Sequence, residues 1–391
     1  MTVRVATVIT RLEGGAGQLA LRGAAALDPA RFQVTVIAGS GALLGQAGAA
    51  GLEVIVEPAL RRAIEPRRDL RALAALAGLL RERSFDVVHT HTAKAGVLGR
   101  LAARRADVPR IVHTYHGFPF HEFQSRLRRS GYVAIERRLG RITDVALCVG
   151  TGVAVEVIRR GLVAPERVRT IGVAVEGLPE SRPDGAAAGG PGQFNTARER
   201  ARLLLGVPED ATVIGCVGRL AYQKAPEDFL AAIAAVRRPG VTGVWVGGGE
   251  LADRIGRLAA MRSIPRVLFA GERSDVLGLL PAFDVFLLPS RYEGLPTVIV
   301  EAMACGVPVV ATAVNAVPDL VVPGETGLLV PPGRPDLMAD AVRYLLDHPT
   351  AAARMAHAAR ARIEHRFEID ALRGSLVAAY ANLDNRVAMA T

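Results

Sequence analysis

Cysteine is nearly missing from this chain. Cys148, Cys216 and Cys305 are the three in 391 residues, far apart and in no ligand spacing. That excludes a disulfide scaffold or a zinc ribbon and fits a reducing, cytoplasmic compartment. Aromatic residues are scarce, at 5%. No aromatic platform accompanies the basic residues, which argues against nucleic acid as a partner. Long apolar runs are also absent. The longest uncharged stretch near the C-terminus, Ala302 to Pro318, is broken by Gly306, Pro308 and Pro318, so it is no membrane span. The apolar run at the start is too short for a secretory signal. No short-period repeat, no G-x-G-x-x-G and no D-x-D-like metal site occurs.

What is present is enough apolar sequence, 50%, for two substantial cores, and the length predicts two domains. Charge is unevenly placed. Residues 1–190 hold 27 Lys+Arg against 17 Asp+Glu, and residues 191–391 hold 21 of each. A basic first half suits an anionic partner, either a peripheral contact with an anionic membrane or a charged acceptor; a merely solvated face is the alternative. Arg126, Arg128, Arg129, Arg137, Arg138 and Arg141 supply much of it.

Short β-branched runs alternate with segments of helical period. Val3–Thr10, Val34–Ala38, Glu53–Val56, Asp86–His89, Arg110–Thr114 and Asp144–Val149 read as strands, with helices such as Asp69–Arg83 and Ala93–Arg105 between them. A second series follows at Thr212–Val217, Gly243–Val246, Val267–Ala270, Val285–Leu288 and Val307–Ala311, and a helical segment at Thr350–Leu383 ends it. Such alternation predicts α/β folding with parallel sheets and crossover helices. Gly177 to Ala197 is rich in Gly and Pro and reads as a loop and linker. The expected division is residues 1–180, a linker at 181–197 and residues 198–367. The helix at about 368–391 is expected to pack back onto the first domain.

In parallel sheets ligands gather at the carboxyl ends of strands, so the loops there carry the candidates. After Val285–Leu288 comes Ser290-Arg291-Tyr292-Glu293-Gly294-Leu295-Pro296-Thr297, running on to Glu301. Pro296 suits the first turn of a helix. The amides of Gly294 to Thr297 would then be an anion site, flanked by two carboxylates that can accept hydrogen bonds from sugar hydroxyls. Helix capping by Glu293 is the bland alternative. After Thr212–Val217 come Gly218-Arg219-Leu220 and Lys224, two cations able to hold a diphosphate or simply to be solvated. Gly247-Gly248-Gly249-Glu250 either admits a ligand to the backbone or makes a tight turn, and opens a helix. Gly14-Gly15-Ala16-Gly17 reads as a glycine turn offering amides to a phosphate. His89 and His91, and His113 and His116, flank two strand ends. His89 and His113 read as satisfied strand histidines. His116 lies past its strand end, where it could face a ligand. No Cys or acidic residue supports a metal there.

Taken in order, these segments resemble glycosyltransferase family 4, the retaining group of GT-B fold. The likeness covers most of the chain: Gly14-Gly15, Asp86 to His91, His116-Gly117, Gly218-Arg219-Leu220 with Lys224, Gly247 to Glu250, Glu293 with Glu301, Glu301 to Val310, and Gly327 to Val330. The resemblance implies two Rossmann-like domains with parallel sheets facing a central cleft. It implies that Arg219 and Lys224 bind a donor diphosphate and Glu301 the ribose. Glu293, with Gly294, Leu295, Pro296 and Thr297, would hold the transferred sugar. His116 would contact that sugar from the other domain, Gly15 would lie near the phosphate and Arg273 near the base. Asp86 through Lys94 and His113 to Phe118 resemble enzymes of exopolysaccharide or capsule assembly. Ala225 stands where the family commonly has Gly, which leaves the loop conformation open, and Asp319 stands where it commonly has Glu. Gly172 to Glu176 is an unusual version of the segment entering the linker.

The implied activity is a metal-independent, retaining glycosyl transfer with no cofactor. A nucleotide sugar is the donor, and the acceptor is a sugar, a lipid-linked glycan or a small molecule. The setting is cytoplasmic, on the inner face of a membrane if membrane-bound. A sugar-nucleotide epimerase of the same fold and a non-catalytic sugar-nucleotide-binding protein are the alternatives. Acceptor contacts would lie in the least standard loops, Leu60–Asp69 and Phe118–Arg129.

Overall fold

The structure, a computed structural model, describes residues 2–120, 124–172, 197–261, 266–364 and 369–381. The linker expected at 181–197 lies outside the described residues, except for Ala197, which opens the helix Ala197–Leu205. Of the segment Gly172 to Glu176, Gly172 alone is described. The chain divides into two compact units, Met1–Ala174 with Phe367–Thr391, and Val175–Arg366.

The first unit is built on seven strands, β1 (Val3–Arg11), β2 (Phe32–Ser40), β3 (Glu53–Val56), β4 (Val87–His91), β5 (Arg110–Tyr115), β6 (Val145–Cys148) and β7 (Val168–Thr170). Their order is β3-β2-β1-β4-β5-β6-β7, and each pairing is parallel. The second unit has six, β8 (Thr212–Val217), β9 (Val241–Val246), β10 (Val267–Phe269), β11 (Val285–Leu288), β12 (Val309–Thr312) and β13 (Leu328–Val330). They run β10-β9-β8-β11-β12-β13, again all parallel. Both are doubly wound Rossmann-like sheets. The order reverses between β1 and β4 in one and between β8 and β11 in the other, and such switch points open crevices for ligands.

Strands β4, β6, β8, β9, β11 and β12 are buried almost throughout, as sheets covered on both faces require. The helix Pro66–Glu82 shows how the cover works. Pro66 fits its first turn, where the missing N–H has no intrahelical use. Ala72, Leu76 and Leu80 recur every four residues on one face, and all three are buried against the core with Val88 and Ile111. Burying each leucine contributes about 2 kcal/mol.

Several expectations need correction. Gly14 to Gly17 are not a turn separate from the helix: the helix Gly14–Ala25 already contains them, Gly14 entering it at φ +60° and Gly17 lying so close to the Leu12 backbone that a Cβ there would meet its carbonyl carbon at 2.8 Å. The helix after Gly247–Glu250 begins only at Ala252. Thr350–Leu383 is helical over Pro349–Glu364 and Ile369–Tyr380, which are assigned to different units. Strands β7 and β13, of three residues each, were not anticipated.

The helix Ile369–Tyr380 closes the first sheet. Leu376 presses on Gly23 so closely that a Cβ there would lie 2.8 Å from its Cδ1. Arg110 Nε donates to the Ala379 carbonyl at 2.6 Å. The buried Tyr380 hydroxyl shares a 2.7 Å hydrogen bond with Nδ1 of His89. Tyr380→Phe leaves that nitrogen without its partner and is expected to lower stability by about 1–3 kcal/mol, read from the urea midpoint.

Candidate active site

In the second unit the site grows from the ends of β8 and β11. After β8 the chain runs through Gly218, Arg219 and Leu220 to a single 3-10 turn, Tyr222–Lys224. Trp245 Nε1 donates to the Gly218 carbonyl at 2.8 Å, and Leu220 N donates to the Gly248 carbonyl at 2.6 Å. The glycine run after β9 is therefore a bed for this loop. A Cβ on Gly247 would lie 2.2 Å from the Gly218 carbonyl oxygen, and one on Gly249 2.5 Å from that of Leu220. The open choice between ligand approach and tight turn resolves as close backbone packing. Gly247 also holds φ +131°, so Gly247→Ala is expected to destabilise by roughly 2–4 kcal/mol in denaturant unfolding.

Gly218 has a second use. The Lys224 side chain crosses it, and a Cβ there would be 3.0 Å from Lys224 Cε. That path delivers Lys224 Nζ to Oε1 of Glu293 at 2.6 Å. Ala225 takes the left-handed conformation, φ 47° and ψ 55°, despite its Cβ. Glu293 is 7% exposed and well provided with donors. Ser290 Oγ also donates to Oε1 at 2.6 Å, and Gln223 Nε2 donates to Oε2 at 3.1 Å. Its own amide donates to Asn315 Oδ1 at 2.9 Å. Thr312 Oγ1 donates to the Ser290 carbonyl at 2.6 Å, tying this loop to β12. Ser290, Gln223 and Asn315 escaped the sequence reading as partners of Glu293.

The helix after β11 spans Thr297–Ala304. Pro296 is its N-cap rather than its first residue, and no side chain caps it. Glu293 thus stands in the preceding loop as no cap, and Glu301 sits in the second turn, half-buried. The first-turn amides and the helix dipole favour an anion. Gly294, Leu295 and Thr297 are half-buried around that N-terminus. Arg219 is exposed, with NH1 3.8 Å from Glu250. Arg273 lies farther out, after β10, and makes a bidentate pair with Asp275 at 2.8 and 2.6 Å. Lys224, Glu293 and the start of the Thr297–Ala304 helix are therefore brought together, with Arg219 at the end of the adjacent strand. Arg273 is held by its own loop.

In the first unit the switch point collects histidines. His89 shares 2.7 Å hydrogen bonds with Tyr380 and Thr114, and His113 shares one of 2.8 Å with Thr90. Nδ1 of His91 lies 2.9 Å from Nε2 of His116. Burial, with neighbouring imidazoles, lowers His89 to about 3 and holds His91 well below its usual range. Burial with Arg100 does the same to His113, and burial alone lowers His116 to about 4. All four are neutral rings near pH 7. Gly15, exposed, occupies the first turn of the helix after β1. Lys94 donates to the Ala63 carbonyl and pairs with Asp69. Beneath lies a buried ion pair, Arg100 to Glu136 at 2.8 Å, which also receives the Tyr115 hydroxyl. Among the described residues no three His, Cys, Asp or Glu side chains converge as a metal site, and no helix is long and apolar enough to cross a membrane.

Two Rossmann-like units with cations and carboxylates at a switch point are the architecture of GT-B glycosyltransferases. Comparison with known proteins agrees. Residues 13–176 match glycosyltransferase family 4, and residues 211–348 match glycosyl transferases group 1. The chain belongs to glycosyltransferase family 4. It is 33% identical, over 66% of its length and 65% of the relative's, to the UDP-Gal:α-D-GlcNAc-diphosphoundecaprenol α-1,3-galactosyltransferase of Escherichia coli. It thus spans less than two thirds of that protein. The D-inositol 3-phosphate glycosyltransferase of Saccharomonospora viridis is 33% identical over 73% of this chain and 69% of the relative. Anabaena HepE, crystallised with UDP and glucose, superposes with a TM-score of 0.80 over 96% of this chain and 98% of its own, at 23% identity. That likeness is one of fold.

Proposed function

We propose that this chain is a retaining glycosyltransferase that moves a sugar from a nucleoside-diphosphate donor to an acceptor hydroxyl without a metal. The observation that carries the reading is the Lys224–Glu293 pair at the β8/β11 switch point, beside an exposed Arg219 and an uncapped helix N-terminus. Arg219 and Lys224 hold the diphosphate and stabilise the charge that collects on it as the glycosidic bond breaks. The amides from Gly294 to Thr297 and the Glu293 carboxylate hold the sugar, Glu301 the ribose, and Arg273 the base side. Gly15 and His116 are the first unit's contributions.

Glu293 accepts hydrogen bonds from Lys224, Ser290 and Gln223. Three donors on its two oxygens leave an acceptor position for a sugar hydroxyl and temper its nucleophilicity, which supports same-face attack with the leaving phosphate taking the acceptor's proton. The acceptor is lipid-linked or otherwise anionic. The helix Arg126–Gly140 supports this, for it exposes Arg126, Arg128, Arg137, Arg138 and Leu127 together. The E. coli relative's acceptor, a diphosphoundecaprenol, is of that kind.

The test is a screen of nucleotide sugars by thermal shift, followed by transfer assays with and without acceptor and with EDTA. Transfer that survives EDTA and retains the anomeric configuration supports the reading. An epimer formed from donor alone, or a trapped glycosyl–Glu293 adduct, overturns it. Binding to anionic vesicles that weakens with salt tests the acceptor surface.

A further inference from the structure

Parallel pairing of β4 with β5 sets His91 opposite Thr114, so His116 emerges just past the strand end, alongside His91. The ring centroids are 5.2 Å apart, and His89 packs on His91 at 4.1 Å. His91 is 3% exposed. Its Nδ1 faces Nε2 of His116 at 2.9 Å, while its own Nε2 is buried with no hydrogen-bond partner among the described residues. A buried polar atom in that condition costs stability, and an apolar side chain of similar shape would avoid the cost. A histidine at such a position calls for a return elsewhere, and among the described residues its ring hydrogen-bonds only His116.

We propose that His91 is a positioning residue: it engages Nε2 of His116 and so leaves Nδ1 of His116 as the nitrogen that meets a hydroxyl of the transferred sugar. The assignment rests on the role given to His116 above. Two neutral imidazoles share one proton along the Nδ1–Nε2 line. Whichever ring donates, the tautomer of His116 is fixed by its partner, and the protonation of a ring's second nitrogen follows from the hydrogen bond made by the first. The contact also fixes the ring's rotation, the kind of support that holds a functional group within the narrow tolerance catalysis needs.

The experiment uses the full chain with 15N-labelled histidine. In the unmodified protein His116 is expected to show a single tautomer in long-range 1H–15N spectra. In His91→Phe, which keeps the ring volume and removes the hydrogen bond, the His116 nitrogens should move to averaged values. Turnover should fall roughly ten- to hundred-fold, as for other supporting partners of functional histidines, with the donor KM moving much less. His91→Asn places an amide where Nδ1 stood and should restore both the single tautomer and most of the turnover. A fixed tautomer with full turnover in a folded His91→Phe protein overturns the proposal, as does a His91→Asn protein as impaired as His91→Phe. Full turnover in His116→Ala instead overturns the role of His116 itself, so the two failures are told apart.

Discussion

Stability should fall steeply as the pH drops below 6.5. His89, His91, His113 and His116 are held neutral in the folded protein, His89 lowered to about 3 and His116 to about 4, chiefly by burial. In the unfolded chain each would titrate near its ordinary value of about 6.5. Depressed histidines contribute stability that is complete above 6.5. Below it the unfolded state binds protons that the folded state refuses, so each ring removes about 1.4 kcal/mol per pH unit. The loss continues until the folded state itself takes up protons, near pH 4 for His116 and 3 for His89. Two such rings alone would cost roughly 3 kcal/mol between pH 6.5 and 5, a large share of the 5–15 kcal/mol typical of a folded protein. Urea unfolding at pH 7.5, 6.0 and 5.0 measures it. A flat profile would show that these rings are solvated in solution. Because the histidines all belong to the first unit, its unfolding signal should shift first.

The second large effect separates two cations of one site. Arg219→Ala should lower turnover about 10²–10³-fold, as removing a transition-state donor does, and leave the melting temperature unchanged because the side chain is exposed. Lys224→Ala should lower turnover similarly but also destabilise by about 3–5 kcal/mol, since it strands the buried Glu293 carboxylate without its counter-charge. Adding Glu293→Gln to Lys224→Ala should recover much of the stability and none of the turnover. Steady-state kinetics beside thermal melts reads both quantities on the same preparations. An unchanged rate in Arg219→Ala would remove that residue from the mechanism.

The repeating fold was legible because strands buried on both faces leave runs such as Val285–Leu288 and Thr212–Val217 that stand out against helices of Ala and Leu. The parts that stayed hidden are those fixed by tertiary packing. Gly14 opens its helix from a left-handed backbone, φ +60°, a conformation glycine suits and a sequence pattern does not reveal. The three-residue edge strands β7 and β13 stayed hidden too, although β10, equally short, was read from its apolar run. At the site, charged residues could be found from their place after strands. The neutral ones that hold Glu293 could not, because Gln223, Ser290 and Asn315 come from three loops and meet only once β8, β11 and β12 are side by side. One compositional signal was available. Lysine occurs twice in the chain, at 94 and 224, among 48 basic residues, and both ammonium groups are enclosed in ion pairs with little exposure. Arginine's rigid fork fits such narrow seats poorly. The His91–His116 contact, likewise, needs the β4/β5 register before the two rings can be seen as neighbours.

The return of the last helix to the first sheet has a consequence for how the protein is made. Arg110 and His89 leave the ribosome early, but their partners Ala379 and Tyr380 come some 270 to 290 positions later. The unit synthesised first is therefore completed last, whereas the second unit holds all its strands in one uninterrupted stretch and can finish as soon as it emerges. Until the C-terminal helix arrives, the early half waits with the seat of Leu372, Leu376 and Tyr380 uncovered.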